Sequence, residues 1–303
     1  MRRTPQIALL ADGKRLHLQD GPIDLIVEAC GSESDLRAAY QAASRRFTGL
    51  LDELCSELSL LRQAADPRRN PLQGTVARRM QNAVAPFAAD CFITPMAAVA
   101  GAVAEEILGA MLQSAELKRA YVNNGGDIAL HLADGAHFNI GLAERPDAAG
   151  LMRTMIIHSD DPSRGVATSG RHGRSFSLGV ADAVTVLART ASQADAAATI
   201  IANAVDLPGH PAILRRPANE LQPDSDLGAR LVTRDVGELS AHEIEEALES
   251  GAVCARKWLA MGLIDGAALR LHGEMVTVAA RAIEMPGLQA PLRGGALEGA
   301  MHV

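Results

Sequence analysis

Aromatic residues and cysteine motifs are scarce in this chain of 303 residues. Phe, Trp and Tyr make up 3% of it, so its core must be built mainly from small aliphatic side chains. No two cysteines form a C-x-x-C pair, which argues against a zinc site and a disulfide scaffold; the four are Cys30, Cys55, Cys91 and Cys254. We interpret them as buried, reduced cysteines of a cytosolic protein.

An excess of basic residues is also absent. Lys and Arg number 29 against 36 Asp and Glu, which gives a net charge of −7. An acidic chain is a poor partner for the phosphate backbone, so we expect no nucleic-acid partner. Hydrophobic residues at 48% and charged residues at 21% are typical of a globular chain rather than of a disordered one.

Long apolar runs are missing as well. The first apolar run, residues 7–11, is too short for the core of a signal peptide. The longest uncharged apolar stretch, residues 91–104, falls short of the roughly 20 residues that a membrane span needs. We therefore expect a cytoplasmic protein with no membrane partner.

Common nucleotide and hydrolase signatures are absent too. The chain contains no P-loop, no G-x-G-x-x-G after a first strand, no G-x-S-x-G and no H-E-x-x-H. The sequence thus lacks the usual signatures of P-loop NTPases, dinucleotide-binding proteins, α/β-hydrolases and zincin metalloproteases.

Pairs of short strands alternate with long helices along the chain. We predict hairpins around Asp12-Gly13, Asp134-Gly135 and Gly273, and long helices over residues 35–62 and 96–115. Ser32, Thr94 and Ser240 are predicted N-caps. Residues 165–170 favour a turn and residues 175–178 a strand. This order predicts an α+β fold with antiparallel sheets backed by long helices. No clear linker divides residues 1–303, and 206–228 is predicted to be a surface excursion.

Three polar segments are candidate binding sites. In the first, two glycines between strands let backbone N–H groups converge on an anion, and polar side chains flank them; its candidate ligand-binding residues are Asn124, Gly125, Gly126 and Asp127. A tight turn explains the same pattern. The second offers two hydroxyls before a glycine, at Thr168, Ser169 and Gly170, which suit a phosphate or a hydroxyl-stabilised turn.

The third segment pairs a carboxylate with a hydroxyl. Asp195 and Thr199 stand four residues apart on a predicted helix and share one face. Such hard oxygen ligands suit Mg²⁺, with phosphates and water completing the octahedron. The alternative is that Ser192-x-x-Asp195 is a capping pattern and that Asp195 serves only the helix start.

The three segments, in this order, resemble the ApbE family of Mg²⁺-dependent flavin transferases, which use FAD to attach FMN covalently to a protein threonine. The resemblance rests on Asn-Asn-Gly-Gly-Asp-Ile at residues 123–128, Ala-Thr-Ser-Gly at 167–170, the Val-Thr-Val strand at 184–186 and Ala-Asp-Ala-Ala-Ala-Thr at 194–199. Residues 94–101, 179–186 and 225–228 are similar to a prokaryotic branch of this superfamily. The similarity to this branch does not indicate which activity its members have.

The resemblance implies a T-fold-like architecture of two lobes with a ligand cleft between them. It implies that Asp195 and Thr199 bind Mg²⁺, and that the glycine and hydroxyl segments line the site of FAD or FMN. One departure is clear: between Thr-Ser-Gly and Val-Thr-Val the transferases carry a His-x-Ile-Asp-Pro-x-Thr-Gly loop, and residues 171–183 here do not contain it.

Three hypotheses of function follow. The first is an ApbE-like protein that binds a flavin or a related phosphorylated small molecule with Mg²⁺, and acts on a phosphoester or pyrophosphate as a transferase or hydrolase. The second is the family's FAD-dependent FMN transfer. The third is a non-catalytic binding or assembly protein whose Ala-rich helix and closing hairpin serve homo-oligomerisation.

Overall fold

The computed structural model describes residues 4–143, 151–279 and 300–302. Its main element is a nine-stranded sheet in which every neighbouring pair is antiparallel. In spatial order the strands are β1 (Gln6–Leu9), β2 (Leu16–Asp20), β3 (Ile23–Cys30), β4 (Arg119–Asn124), β5 (Asp127–Leu132), β8 (Gly165–Ser169), β9 (Ala183–Ala188), β12 (Gly266–Leu271) and β13 (Glu274–Ala279).

Two smaller sheets accompany the large one. The strands β6 (His137–Ala143) and β7 (Leu151–His158) form an antiparallel pair, and β14 (Ala300–His302) adds in parallel to β6. The strands β10 (Ile213–Pro217) and β11 (Leu231–Val236) form an antiparallel ribbon within the predicted surface excursion and beyond it.

Eight α-helices lie among the described residues: α1 (Glu33–Phe47), α2 (Leu50–Ser56), α3 (Leu58–Leu61), α4 (Thr75–Val84), α5 (Val99–Leu112), α6 (Ala191–Ala204), α7 (Ala218–Leu221) and α8 (Ala241–Ala260). Ser32 and Ser240 cap α1 and α8 through their side chains, as predicted. These caps are encoded by adjacent residues, since a hydroxyl at the N-cap accepts the N–H of the third helical residue.

The large sheet lies between two layers. On one face α5, α6, α1 and α8 pack against it, and small side chains such as Ala102, Ala194 and Ala198 are fully buried there. On the other face the β6–β7 pair covers the middle strands around Phe138, Ile128 and Leu130. The prediction of antiparallel sheets backed by helices is confirmed.

The centre of the large sheet contains a short seam. β5 and β8 are joined by two residue pairs, Ile128 with Val166 and Ala129 with Gly165, whereas β4 and β5 share six. β6 and β7 lie between β5 and β8 in the chain, so two sequence-local groups of strands meet at this seam.

Several local predictions were wrong. Asp134-Gly135 is not a hairpin turn, because β5 pairs with β4 and β8 while β6 crosses to the second sheet. Residues 165–170 are mostly strand β8 rather than a turn, and residues 175–178 form no strand. Turn-forming residues predict only local geometry. Here the long-range pairing of β5 with β8 replaces the hairpin expected between β5 and β6.

The two long helices also differ from the prediction. The helix expected over 35–62 is broken into three. Gly49, in a left-handed conformation with φ of 86°, separates α1 from α2, and Glu57, with φ of −112°, separates α2 from α3. The second begins with a 3₁₀ turn at Pro95–Ala98 and continues as α5. Thr94 does not cap it through its side chain; its hydroxyl donates to Asp226 instead.

One described segment, Pro95–Leu112, has the length and hydropathy of a membrane-spanning helix. Half of that window is buried inside the protein, as in the core helix of a layered fold.

Candidate functional site

The β4–β5 turn contains the first predicted binding segment. Gly125 and Gly126 have φ values of 67° and 111°, the left-handed conformations of a two-residue hairpin turn. Asn123 Oδ1 accepts the Gly126 N–H at 2.8 Å. Both glycines and Asn123 therefore have a structural role in the turn, as the alternative hypothesis required.

Asp127 follows this turn and faces the helices. Side chains alternate along a strand, and Ala129 belongs to the core on the helical face while Ile128 belongs to the opposite core. The Asp127 carboxylate accepts the backbone N–H of Thr168 on the neighbouring strand. Its Oδ1 is buried and has no hydrogen-bond partner among the residues that the structure describes, which is rare for a carboxylate oxygen.

Asp195, on α6, lies close enough to Asp127 for their charges to interact. Its Oδ2 accepts the Gly101 N–H at 3.0 Å, and the Ala100 N–H also points at the carboxylate. These N–H groups belong to the first turn of α5, which has no side-chain cap of its own. A carboxylate at this position is favourable because it meets the positive end of the helix dipole.

The hypothesis that Asp195 serves the start of its own helix is wrong. Thr190 caps α6 and accepts the Gln193 N–H at 3.3 Å. Ser192 instead donates its hydroxyl and its N–H to Glu105 Oε1, at 2.7 Å and 2.6 Å. Asp195 therefore acts across the α5–α6 interface.

The two carboxylates form an electrostatic pair. Burial, and then the charge of Asp195, raise the pKa of Asp127 well above its ordinary value. Burial raises the pKa of Asp195 to about 7, with a smaller contribution from Glu105, although the Gly101 and Ala100 N–H groups oppose the rise. Each residue keeps some exposed surface, but protein atoms enclose its carboxylate.

This arrangement fits a divalent cation. Two carboxylates that repel each other, one with an unpartnered buried oxygen, gain most from a positive charge between them. No cluster of three or more His, Cys, Asp or Glu ligands occurs in the part of the chain that the structure describes. The donor set therefore suits Mg²⁺, which keeps several waters and takes one or two carboxylates plus phosphate oxygens.

The side chains of the other predicted site residues make no hydrogen bond to either carboxylate among the described residues. Asn124 Nδ2 donates to Ala100 O at 3.2 Å and so joins the turn to α5. The Thr168 hydroxyl bonds to the Thr185 hydroxyl at 2.8 Å, on the sheet face opposite Asp127. By strand alternation Ser169 faces the helices, and Thr199 shares the helix face of Asp195 one turn on.

Gly170 has a steric role. A Cβ at this residue would lie 2.5 Å from the carbonyl oxygen of Asp182. Its small size therefore lets the chain after β8 approach the chain before β9. Contact of Gly170 with a ligand stays a prediction.

Sequence reasoning missed two residues beside the carboxylate pair. Gly101, noted only as part of an Ala-rich helix, supplies the N–H that binds Asp195. Arg174 lies over the glycine turn: its Cζ is 3.4 Å from the position a Cβ at Gly125 would occupy. The small-residue pattern could have indicated the first, but no sequence signal indicated the second.

Two of the motifs behind the resemblance also meet in space. The buried Thr94 donates its hydroxyl to Asp226, although the two residues lie far apart in the chain. The contact ties the start of the α5 segment to the 225–228 segment, which indicates a structural role for both motifs.

Two cavities lie elsewhere. One of about 540 Å³ lies at the start of α6 and is lined by Arg78, Arg79, Glu105 and Ser192, among others. The other, of about 980 Å³, lies between α1 and the first three strands. Neither of these two cavities is lined by Asp127 or Asp195.

The raised pKa of Asp195 predicts how stability depends on pH in metal-free protein. The carboxyl loses its proton near 3.8 when the chain is unfolded and near 7 when it is folded. Between these values the folded chain binds the extra proton. Raising the pH from about 4 to about 7 should therefore lower the free energy of unfolding, by at most about 1.4 kcal/mol per pH unit from this group.

Urea denaturation in EDTA at both ends of this range measures the effect, with Asp195→Asn as the control. The variant should lose this component of the pH dependence. An unchanged slope in Asp195→Asn would contradict the assignment of the proton to Asp195.

Comparison with protein-family models matches residues 7–277 to the family described as AbpE bacteria. Among curated proteins, a UPF0280 protein from Methanopyrus kandleri is 39% identical over 183 residues, which cover 59% of this chain and 69% of the relative. A UPF0280 protein from Archaeoglobus fulgidus is 37% identical over 135 residues, 44% of this chain and 51% of the relative. The chain thus spans about half the length of the second relative.

Among solved structures, the apo form of the flavinyl transferase ApbE from Pseudomonas stutzeri matches 91% of this chain and 94% of its own. The TM-score is 0.48 and the sequence identity 12%. A likeness this distant bears on neither the ligand nor the reaction.

Proposed function

The chain belongs to the AbpE bacteria family, and from this premise we propose that it binds a flavin nucleotide, or a related phosphorylated ligand, together with Mg²⁺ at the carboxylate pair Asp127–Asp195. This membership agrees with the resemblance to ApbE-like proteins drawn from the three motifs. The flavin part of the proposal rests on that resemblance, and the metal part rests on the geometry of the pair.

One observation carries the proposal. Asp127 Oδ1 is buried without a hydrogen bond to any described residue, and a second buried carboxylate lies nearby. Leaving a buried charged oxygen unpartnered costs several kcal/mol, and a cation between the carboxylates would remove that cost.

The surrounding residues have separate roles in the proposal. Asp127 and Asp195 hold the metal, with the Thr199 hydroxyl one turn along α6. The turn of Gly125 and Gly126 and the end of β8 at Ser169 flank the phosphate. When bound, the metal would neutralise phosphate oxygens and stabilise charge as a phosphoester or pyrophosphate bond breaks.

Transfer of FMN to a protein is the less favoured alternative. In place of the family's His-x-Ile-Asp-Pro loop, Arg171 is paired with Asp182 at 2.7 Å and closes a short loop between β8 and β9. Groups that position reactants contribute several kcal/mol to a rate, so loss of the loop argues for a different reaction on the same class of ligand.

Calorimetry with FMN and FAD tests the binding proposal. In Mg²⁺ we expect saturable binding of at least one of them, weakened about tenfold or more in EDTA, because the metal would offset the charge of the phosphate. Riboflavin, which lacks the phosphate, should show no dependence on Mg²⁺. If neither nucleotide binds in Mg²⁺, the flavin part of the proposal is wrong.

A transfer assay separates the two reactions. After incubation with FAD, Mg²⁺ and a peptide that contains a flavinylation threonine, mass spectrometry should find no covalent FMN on the peptide. A stoichiometric adduct would establish FMN transfer and overturn the assignment of a different reaction.

A further inference from the structure

The loop between β8 and β9 has a fixed base. Arg171 Nε and Nη2 contact Asp182 Oδ1 at 2.9 Å and 2.7 Å, and the Arg171 N–H donates to Ala181 O at 2.9 Å. Asp182 Oδ2 also accepts the His272 N–H at 2.6 Å from the β12–β13 turn. A loop held at both ends keeps the residues after Arg171 near one place.

Arg174 extends from this loop to the glycine turn that precedes Asp127. Its Cζ and Nη1 lie 3.4 Å and 3.5 Å from where a Cβ of Gly125 would be, so the guanidinium covers the glycine turn. The residue is exposed, and its hydrogen bond within the described part of the chain is a long one, Nη1 to Pro22 O at 3.4 Å.

The charge of Arg174 acts on the site without a direct ion pair. It lowers the pKa of Asp127 against the larger effect of burial, yet no carboxylate among the described residues lies within ion-pair distance of it. A guanidinium close to a carboxylate but not bonded to it still has its donors available.

We propose that Arg174 binds the phosphoryl group of the ligand and holds it over the Gly125-Gly126 turn, against the metal at Asp127 and Asp195. The inference rests on the proposed function and adds to it a specificity-determining residue. It also names the ligand class, since the site then selects for a terminal phosphate or diphosphate.

Phosphate is the anion that fits best. A planar guanidinium presents parallel N–H donors that match two phosphate oxygens. Because neither glycine carries a side chain, the guanidinium lies directly on the turn, and an anion that it binds lies close to the backbone of the turn. A metal held by Asp127 and Asp195 would add a second positive charge, beside that of Arg174, to stabilise the phosphate.

Inorganic pyrophosphate is the probe, because it tests the phosphoryl site without a flavin ring. Calorimetry in Mn²⁺ compares wild type, Arg174→Gln and Arg174→Lys. Arg189→Gln is the matched control, since Arg189 is exposed just beyond the other end of β9. Electron paramagnetic resonance measures the Mn²⁺ affinity of each variant without pyrophosphate.

We expect Arg174→Gln to weaken pyrophosphate binding by about 10-fold to 100-fold, the effect of losing charged hydrogen bonds. The pyrophosphate affinity of Arg174→Lys should fall between those of wild type and Arg174→Gln, because Lys keeps the positive charge but lacks the two parallel N–H donors of the guanidinium. Mn²⁺ affinity should stay unchanged or rise, since a positive charge near Asp127 is removed. Arg189→Gln should match wild type throughout.

The outcomes separate the two proposals. If wild type binds pyrophosphate with Mn²⁺ and Arg174→Gln binds it equally well, the role of Arg174 is overturned and the metal–phosphate site stands. If Arg174→Gln loses Mn²⁺ affinity to the same degree as pyrophosphate affinity, its role is structural and the inference is also overturned. If wild type binds Mn²⁺ but no phosphorylated probe, both proposals are wrong.

Discussion

Asp195→Asn should weaken Mg²⁺ binding by about 100-fold or more, whereas Thr199→Ser should change it by only a few-fold. A unit charge about 4 Å from its partner contributes roughly 4 kcal/mol at an effective dielectric constant of about 20. Asn removes that charge, while Ser keeps the hydroxyl oxygen. The Asn side-chain oxygen can still accept the Gly101 N–H, so the fold should persist.

In the absence of metal, removing one of the two carboxylates should raise the stability of the fold rather than weaken a function. Because burial and repulsion raise the pKa of both carboxyls, Asp127→Asn should stabilise the metal-free fold at alkaline pH, since it removes a buried carboxyl whose negative charge adds to that of Asp195. Titration with Mg²⁺ and urea denaturation in EDTA measure the two effects. A gain in stability with a loss of metal affinity is characteristic of a binding site.

An equal Mg²⁺ affinity in wild type and Asp195→Asn would contradict this assignment. Asp195 would then be only the cap of α5, which its contacts with Gly101 and Ala100 already explain in part. Asp127→Asn tests the pair independently, because Asp127 caps no helix.

Gly101→Ala should destabilise the protein by about 3 kcal/mol or more, since the added methyl group meets backbone atoms rather than side chains. A Cβ there would lie 2.3 Å from the Ala191 carbonyl oxygen and 2.6 Å from the Ser192 nitrogen. To accommodate it, α5 and α6 must separate. The Asp195 contact with the Gly101 N–H would then lengthen, so metal affinity should fall as well.

Gly109→Ala is the matched control for this change. Gly109 lies in the same helix, and a Cβ there would meet nothing within 4 Å. Removing a helical glycine without a clash should stabilise by about 0.5–1 kcal/mol. Urea denaturation of both variants measures the difference. Equal stabilities would show that the α5–α6 contact adjusts freely.

Much of the fold could be predicted from neighbouring residues. The hairpins at Asp12-Gly13 and Gly273, and the caps at Ser32 and Ser240, depend on short stretches of chain, and the structure contains all four. The partner of β5 could not be predicted, because its pairing with β8 joins residues more than one strand apart in the chain. β6 and β7 lie between these two strands in the chain, so no local turn specifies their pairing.

The candidate site shows the same division. Asp127 and Asp195 were each singled out from local patterns, but nothing local indicates that their carboxylates repel each other across a sheet and a helix. The position of Arg174 depends on the Arg171–Asp182 contact, which replaces a familiar motif with a different loop closure. Composition and spacing do not encode such contacts.

The short seam at the centre of the large sheet has a consequence for folding. Strands β1 to β5 and strands β8 to β13 of this sheet are each built largely from hairpins between sequence neighbours, which form early because little chain entropy is lost. Asp127 lies in the first group and Asp195 follows the second strand of the other. A cation that binds both carboxylates would bind only the docked state, and so would draw the two groups together by mass action.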